Sequence, residues 1–211
     1  MPGNLISVGS AFDYSNLGCT HHCYDDFTLM KSLPNTQIFY PASCNEFDIL
    51  FKKSYNNPFL TLFRIPENQH EQEIDPGVIE VGKAIKISEG KDLTLVALGP
   101  QLKNAVEAEK ILVKDGWDIE IIYVHTVLPL DISTIRKSVK KTKKVLIVEE
   151  HNRFGGTGYD ILNAIYDIEN VQTSSIAIDG FVHDYGSYEE ICDRLGFSVD
   201  GIIRSISKFR R

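Results

Sequence analysis

The hydrophobic positions of the first 65 residues fall into three short runs separated by two amphipathic stretches. Residues 4–8 (NLISV) form an apolar run closed by Gly9-Ser10, which predicts a strand. Phe27, Met30 and Leu33 share one helical face before Pro34-Asn35 ends that helix. Residues 36–40 (TQIFY) predict a second strand, stopped by Pro41. Ser43 and Glu46 have capping-box spacing, and Phe47, Leu50, Phe51 and Tyr55 supply the buried stripe of the helix they open. Residues 59–65 (FLTLFRI) predict a third strand, with Arg64 near its C-terminal end. Strand, helix, strand, helix, strand is the order of a parallel α/β unit.

Residues 66–77 (PENQHEQEIDPG) break the pattern: they are polar, aperiodic and bracketed by proline, as an interdomain linker is. A second α/β series follows. Residues 78–88 predict an edge strand or hairpin, and 93–98, 119–124, 144–148 and 171–178 predict strands. Helices are predicted over 102–115, from the cap Asp131 through Ile132, Ile135 and Val139, over 159–166, after the capping box Ser187–Glu190, and after Ser198. Gly116 and Gly196 suit the left-handed position that closes a helix.

Composition narrows the class. A hydrophobic content of 43% is ample for a folded core, and a net charge of −7 argues against a general nucleic-acid binder. The basic cluster Arg136, Lys137, Lys140, Lys141, Lys143 and Lys144 reads as a solvated helix face. Four cysteines in 211 residues are no disulfide framework. No apolar run reaches the roughly 18 residues that a membrane span needs, and no secretory signal is visible at the N-terminus. The expectation is a reduced, cytoplasmic protein with neither nucleic acid nor membrane as partner.

Candidate chemistry concentrates in two loops and one strand end. Cys19-Thr20-His21-His22-Cys23 has the look of a zinc half-site, but no second ligand pair stands at a matching spacing. Asp25 and Asp26 read as carboxylates at a helix N-terminus. Gly155, Gly156 and Gly158, after Glu149-Glu150-His151, suit either a phosphate cradle or a tight turn against the sheet. The dinucleotide fingerprint is not matched. His70, His125 and His183 complete no nucleophile–base–acid set. Arg64 sits where open parallel sheets bind ligands, and with His21 on a neighbouring strand end it suggests an anion site.

Seven short motifs, in order, resemble the C-terminal part of the transketolase family of thiamine-diphosphate enzymes. They are Thr20-His21-His22 with Asp25-Asp26, Leu33-Pro34-Asn35, Tyr40-Pro41-Ala42, Leu62-Phe63-Arg64, Val81-Gly82-Lys83-Ala84, His125-Thr126 with Pro129-Leu130-Asp131, and Val148-Glu149-Glu150-His151 with Gly155-Gly156-Thr157-Gly158. Each is weak alone; together they run through nearly the whole chain, and the Thr-His-His and Glu-Glu-His forms resemble the short, split transketolases.

The resemblance implies an α/β fold: a partial pyrimidine-binding domain over 1–68, a linker over 69–76, and over 77–211 a three-layer transketolase C-terminal domain with a mostly parallel sheet. It implies transfer of a two-carbon ketol unit between sugar phosphates, with His21 as the active-site histidine and Arg64 gripping a substrate phosphate. The family's catalytic glutamate and its diphosphate- and magnesium-binding domain match nothing here. Leu17 and Gly9 stand where classical members carry an Asp and a second active-site His. Thiamine diphosphate and magnesium are therefore expected mostly on other polypeptide, and the expected partner is a second copy in a homo-dimer or a complementary thiamine-diphosphate-binding subunit. Met1 is expected to be an internal start or a truncation point, leaving an open sheet edge that invites extra dimer contacts or disorder. The alternatives left standing are a non-catalytic dimerisation or regulatory module, a dehydrogenase β-subunit, and a piece of a deoxyxylulose-phosphate-synthase relative.

Overall fold

A computed structural model describes residues 2–209; Met1, and with it the expectation of an internal start, lies outside them, as do Arg210 and Arg211. The chain builds two sheets. The first takes β1 (Gly3–Val8), β2 (Thr36–Phe39) and β3 (Leu60–Ile65) in parallel, in the order β1-β3-β2. The second takes β4 (Ile85–Lys86), β5 (Leu93–Leu98), β6 (Ile119–Val124), β8 (Lys144–Asn152) and β9 (Gln172–Ile178) in the order β4-β6-β5-β8-β9. All its pairings are parallel except β4 with β6. This is the mostly parallel α/β architecture expected.

One strand was not expected. β7 (Thr126–Leu128) leaves the second half of the chain and pairs antiparallel with β2, closing that side of the first sheet. The stretch predicted as an edge strand or hairpin over 78–88 is mostly irregular, with only β4 regular.

Period-two alternation sorts the second sheet's side chains onto its two faces. Leu95, Ala97, Leu146 and Val148 pack with Leu102, Ala105, Ala108 and Leu112 of α3 (Gln101–Lys114) and with Ile202 and Ile206. Val96, Leu98, Val145 and Ile147 pack instead with Ile135 and Val139 of α4 (Ile132–Thr142) and with Ile161 and Ile165 of α5 (Thr157–Ile165). Both clusters continue into the first sheet, through Phe39 and Phe63 on one side and Ile38, Tyr40 and Leu62 on the other. The two sheets thus share their cores.

Helix ends follow their local signals. Ser187 and Glu190 form a complete capping box at α6 (Tyr188–Leu195), and Ser198 accepts from Gly201 N at α7 (Val199–Ser207). Ser43 caps α2 (Cys44–Ser54) through Glu46 N, but the Glu46 carboxylate does not return to the cap. It turns inward, accepting from Ala42 N at 2.7 Å, Tyr123 Oη at 2.8 Å and the His70 ring at 2.8 Å. His70, expected in an open polar loop, is therefore fully buried. Its Nδ1 accepts from Gln72 N, which leaves Nε2 as the donor to Glu46.

Candidate functional site

Three loops converge at the C-terminal ends of the parallel strands, where open α/β sheets place their ligands. The loop after β1 is tied by Asp13, which accepts from Ser10 N, Glu67 N and Asn68 Nδ2. Ala11 and Cys23 form an isolated bridge, with Cys23 N donating to Ala11 O at 2.7 Å. Between these ties lie two single helical turns, Ser15–Leu17 and Cys19–His21. Gly186 N reaches Ser15 O, and Asn152 N reaches Tyr24 O at 2.8 Å, so the loops near 152 and 186 close on the first.

His21 is exposed at the end of the second turn, with Nδ1 3.0 Å from Thr20 Oγ1. His22 does not share its orientation. Its half-buried ring turns inward to Val182 O at 3.3 Å, and burial lowers its pKa. The two histidines thus serve different surroundings. Cys19, Cys23, Cys44 and Cys192 are free thiols, and burial pushes the Cys23 thiol up.

Arg64, expected with His21 at an anion site, lies near the C-terminal end of β3. It is completely buried. Nη2 donates to Cys23 O at 2.9 Å, and Nη1 and Nη2 both reach Glu150 O at 3.2 Å. Nε stands 3.2 Å from Asp26 Oδ2, an ion pair outside hydrogen-bond alignment. The guanidinium carbon lies 4.7 Å from the ring centres of both Phe27 and Tyr40. Burial works against the charge, but Asp26, with Tyr40 and Glu150, outweighs it and raises the Arg64 pKa. His151 stacks on Phe27 with centroids 4.9 Å apart. Burial drives its pKa to about 3, so the ring is neutral, and Nδ1 donates to Asn152 O at 2.9 Å.

The glycine-rich loop resolves the choice between cradle and tight turn. The amides of Thr157 and Gly158 at the start of α5 both donate to the Glu149 carboxylate at 2.7 Å. The anion position is thus filled from within the chain. A Cβ on Gly156 would lie 2.8 Å from Glu149 Oε1, and one on Gly158 2.6 Å, so both positions need glycine for close approach. Burial raises Glu149 to about 7. Burial, then Asp13, does the same for Glu150, whose Oε1 accepts from Gln101 Nε2 at 2.7 Å and from Tyr188 Oη. Glu150 Oε2 has no hydrogen-bond partner among the described residues.

Sequence reasoning had no place for Gln101 and Tyr188, which hold Glu150 from α3 and α6. Their signal was weak, since both are single polar residues near helix starts. A cleft of about 480 Å³ opens beside them, its lining including Glu67, Asn68, Lys103, Asn104, Tyr188 and Cys192. His21 is not among its lining residues. The same loops expose Leu17, Phe154, Phe181 and Tyr185.

Comparison with known proteins bears on what such a rim does. The family model described as the transketolase C-terminal domain matches residues 82–202. One of the subunits of the apulose-4-phosphate transketolase of Phocaeicola vulgatus is 28% identical over 210 residues, 97% of this chain and 66% of that protein. The 1-deoxy-D-xylulose-5-phosphate synthase of Halothermothrix orenii is 32% identical over 151 residues, 70% of this chain and 24% of the synthase. A solved structure described as a split gene transketolase, inactive beta4 tetramer, has a TM-score of 0.85 at 22% identity, covering 97% of this chain and 66% of that one. The chain therefore spans less than two thirds of the length of each of these proteins.

Proposed function

The chain belongs to the transketolase family, and from that premise we propose that it is one component of a split, thiamine-diphosphate-dependent transketolase that moves a two-carbon ketol unit between sugar phosphates. In this reading residues 1–68 are the C-terminal part of a pyrimidine-binding domain and 77–211 the transketolase C-terminal domain. The observation that carries it is His21: an exposed imidazole on a strand-end loop, with Thr20 at its Nδ1. Such a ring can donate or accept a proton at a substrate hydroxyl. The exposed Leu17, Phe154, Phe181 and Tyr185 support burial of this rim against another polypeptide.

The residues present do not fit the cofactor's diphosphate or its magnesium. Among the described residues no three His, Cys, Asp or Glu side chains converge as metal ligands, and the α5 amides that suit a phosphate are taken by Glu149. In this reading the cofactor enters with a complementary subunit. The phosphate-gripping role of Arg64 would require the guanidinium to leave Cys23, Glu150 and Asp26, so this reading rests on His21. The four free thiols and the lack, among the described residues, of a helix long and apolar enough to cross a membrane agree with work in the cytoplasm.

The test is reconstitution with the thiamine-diphosphate-domain subunit of the same organism. Co-elution of the two chains and ketol transfer between sugar phosphates are expected, with transfer lost in His21→Ala while the complex persists. No complex with such a subunit overturns the reading. A complex without transfer supports the dimerisation or regulatory module instead. The likeness to deoxyxylulose-phosphate synthases favours one further assay on the same mixture, formation of deoxyxylulose phosphate.

A further inference from the structure

We infer that Arg64 is a positioning residue, whose buried guanidinium holds the backbone frame from which His21 projects. The inference deepens the proposed role of His21 and rests on it. Several hydrogen bonds hold this frame. His21 N donates to Gly18 O and His22 N to Cys19 O, both within the turn itself. Beyond the turn, His22 Nδ1 meets Val182 O, Tyr24 O accepts from Asn152 N of β8, and β3 grips the loop at Cys23, two residues on from His21. The Cys23 N–H is held by Ala11 O and its C=O by Arg64 Nη2. The same guanidinium holds Glu150 O at the end of β8 and faces Asp26, the first residue of α1 (Asp26–Lys31). One planar group therefore joins the His21 turn, the helix that follows it and a strand of the other sheet.

The shape of the group matters as much as its charge. The rings of Phe27 and Tyr40, each 4.7 Å from the guanidinium carbon, fix where its plane can lie. The fork then reaches two carbonyls on different elements, Cys23 O and Glu150 O. A lysine ammonium is a compact point charge on a flexible stem and cannot reproduce that fork. Among the described residues the side-chain partner of the His21 ring is the adjacent Thr20 hydroxyl, so its direction follows from the backbone beneath it.

Arg64→Lys in the full chain separates positioning from general stability. Histidine ring spectra across pH read His21 directly, and amide exchange reads residues 20–23 against those of β5. The expected result is a displaced His21 ring signal and about tenfold loss of protection at 20–23 with β5 unchanged. Unaltered His21 signals in a folded Arg64→Lys chain overturn the inference, and so does loss of protection in equal measure at the loop and in β5. If Arg64→Lys does not fold, Asp26→Asn serves. It removes the ion pair but leaves both carbonyl contacts, so the same local pattern is expected at smaller size, and unaltered His21 signals there overturn the inference. Neither readout needs substrate or partner. A displaced ring in Arg64→Lys together with no ketol transfer by the wild-type chain and its partner subunit would sink the functional reading alone.

Discussion

The two sheets treat their edges in opposite ways. At one side the five-stranded sheet ends in β4, only two residues long, and at the other in β9, whose outer stretch is Gln172, Thr173, Ser174 and Ser175. Short strands and polar side chains are ordinary protection for an edge. The four-stranded sheet is closed by β7 beside β2, but its other side is β1, a six-residue strand with Leu5, Ile6 and Val8 exposed. Ile6 is 51% exposed and Val8 63%, and residues 2–9 carry no charge. Inside the second sheet, by contrast, every residue of β5 and β6 is buried. One sheet is finished within this chain. In the other, among the described residues, β1 keeps an apolar, hydrogen-bonding side unpaired, which is what a partner that adds to it would need.

The largest expected effect tests the finished sheet. Ile147 on β8 is fully buried and packs with the α4 and α5 face. Ile147→Ala should destabilise the fold by about 2–5 kcal/mol, since the tightly packed strands around it relax little into the void. Urea denaturation measures it. A loss below about 1 kcal/mol would mean that the second sheet is as loosely held as β1.

Most of that finished sheet was legible because its signals are local. Buried runs, helix periodicity and the capping residues Asp131, Ser187 and Ser198 need no distant partner to be read. The candidate site was legible only in part. The His21 turn stood out by its residue types. The burial of Arg64 did not, because a strand-end arginine looks the same whether it faces a ligand or the interior. Its signals were Phe63 and Ile65 on either side and Asp26 as a counter-ion, and the second becomes visible only when α1 folds back on β3. β7 spans three residues and pairs with a strand nearly ninety positions earlier, so no local pattern announced it. Glu149 belongs to the same short motif as the glycines, so its capture of the α5 amides was hinted at by adjacency.

A smaller effect is expected at the seam between the sheets, and it depends on pH. Burial and Asp13 raise Glu150 to about 7, so the folded chain keeps a proton that the unfolded chain releases near its ordinary value of 4.5. Stability from this group is full below about 4.5 and is lost as pH climbs through about 7. His125 and His151 slope the other way. Burial depresses them to about 4 and about 3, so their contribution is lost as pH falls from 6.5 through those values. The opposing slopes mask one another in the wild type, so the difference between two chains is the clean readout. Glu150→Gln keeps an acceptor for Gln101 and Tyr188 and removes the titration. Relative to wild type it should gain on the order of 1–3 kcal/mol between pH 5 and pH 8, read from denaturation midpoints at both. An unchanged difference at the two pH values would show that Glu150 is not the group that titrates.

The smallest expected effect on stability falls on β1, and it sharpens the contrast most. Ile6 packs little and faces solvent, so Ile6→Lys should change the folding free energy by no more than about 0.5 kcal/mol. Its consequence should appear in association instead. A lysine on an edge strand must be desolvated before another strand can lie against it, and the added charge repels a second copy carrying the same residue. Sedimentation of wild type and variant at equal concentration, alone and with the cofactor-domain subunit, separates the occupants. If β1 pairs with a second copy, the variant alone shifts toward monomer. If it pairs with the complementary subunit, the variant keeps its own oligomeric state and loses the mixed complex. Identical sedimentation in both settings would mean that the exposed apolar side of the first sheet is simply tolerated, and the asymmetry between the two sheets would then say nothing about partners.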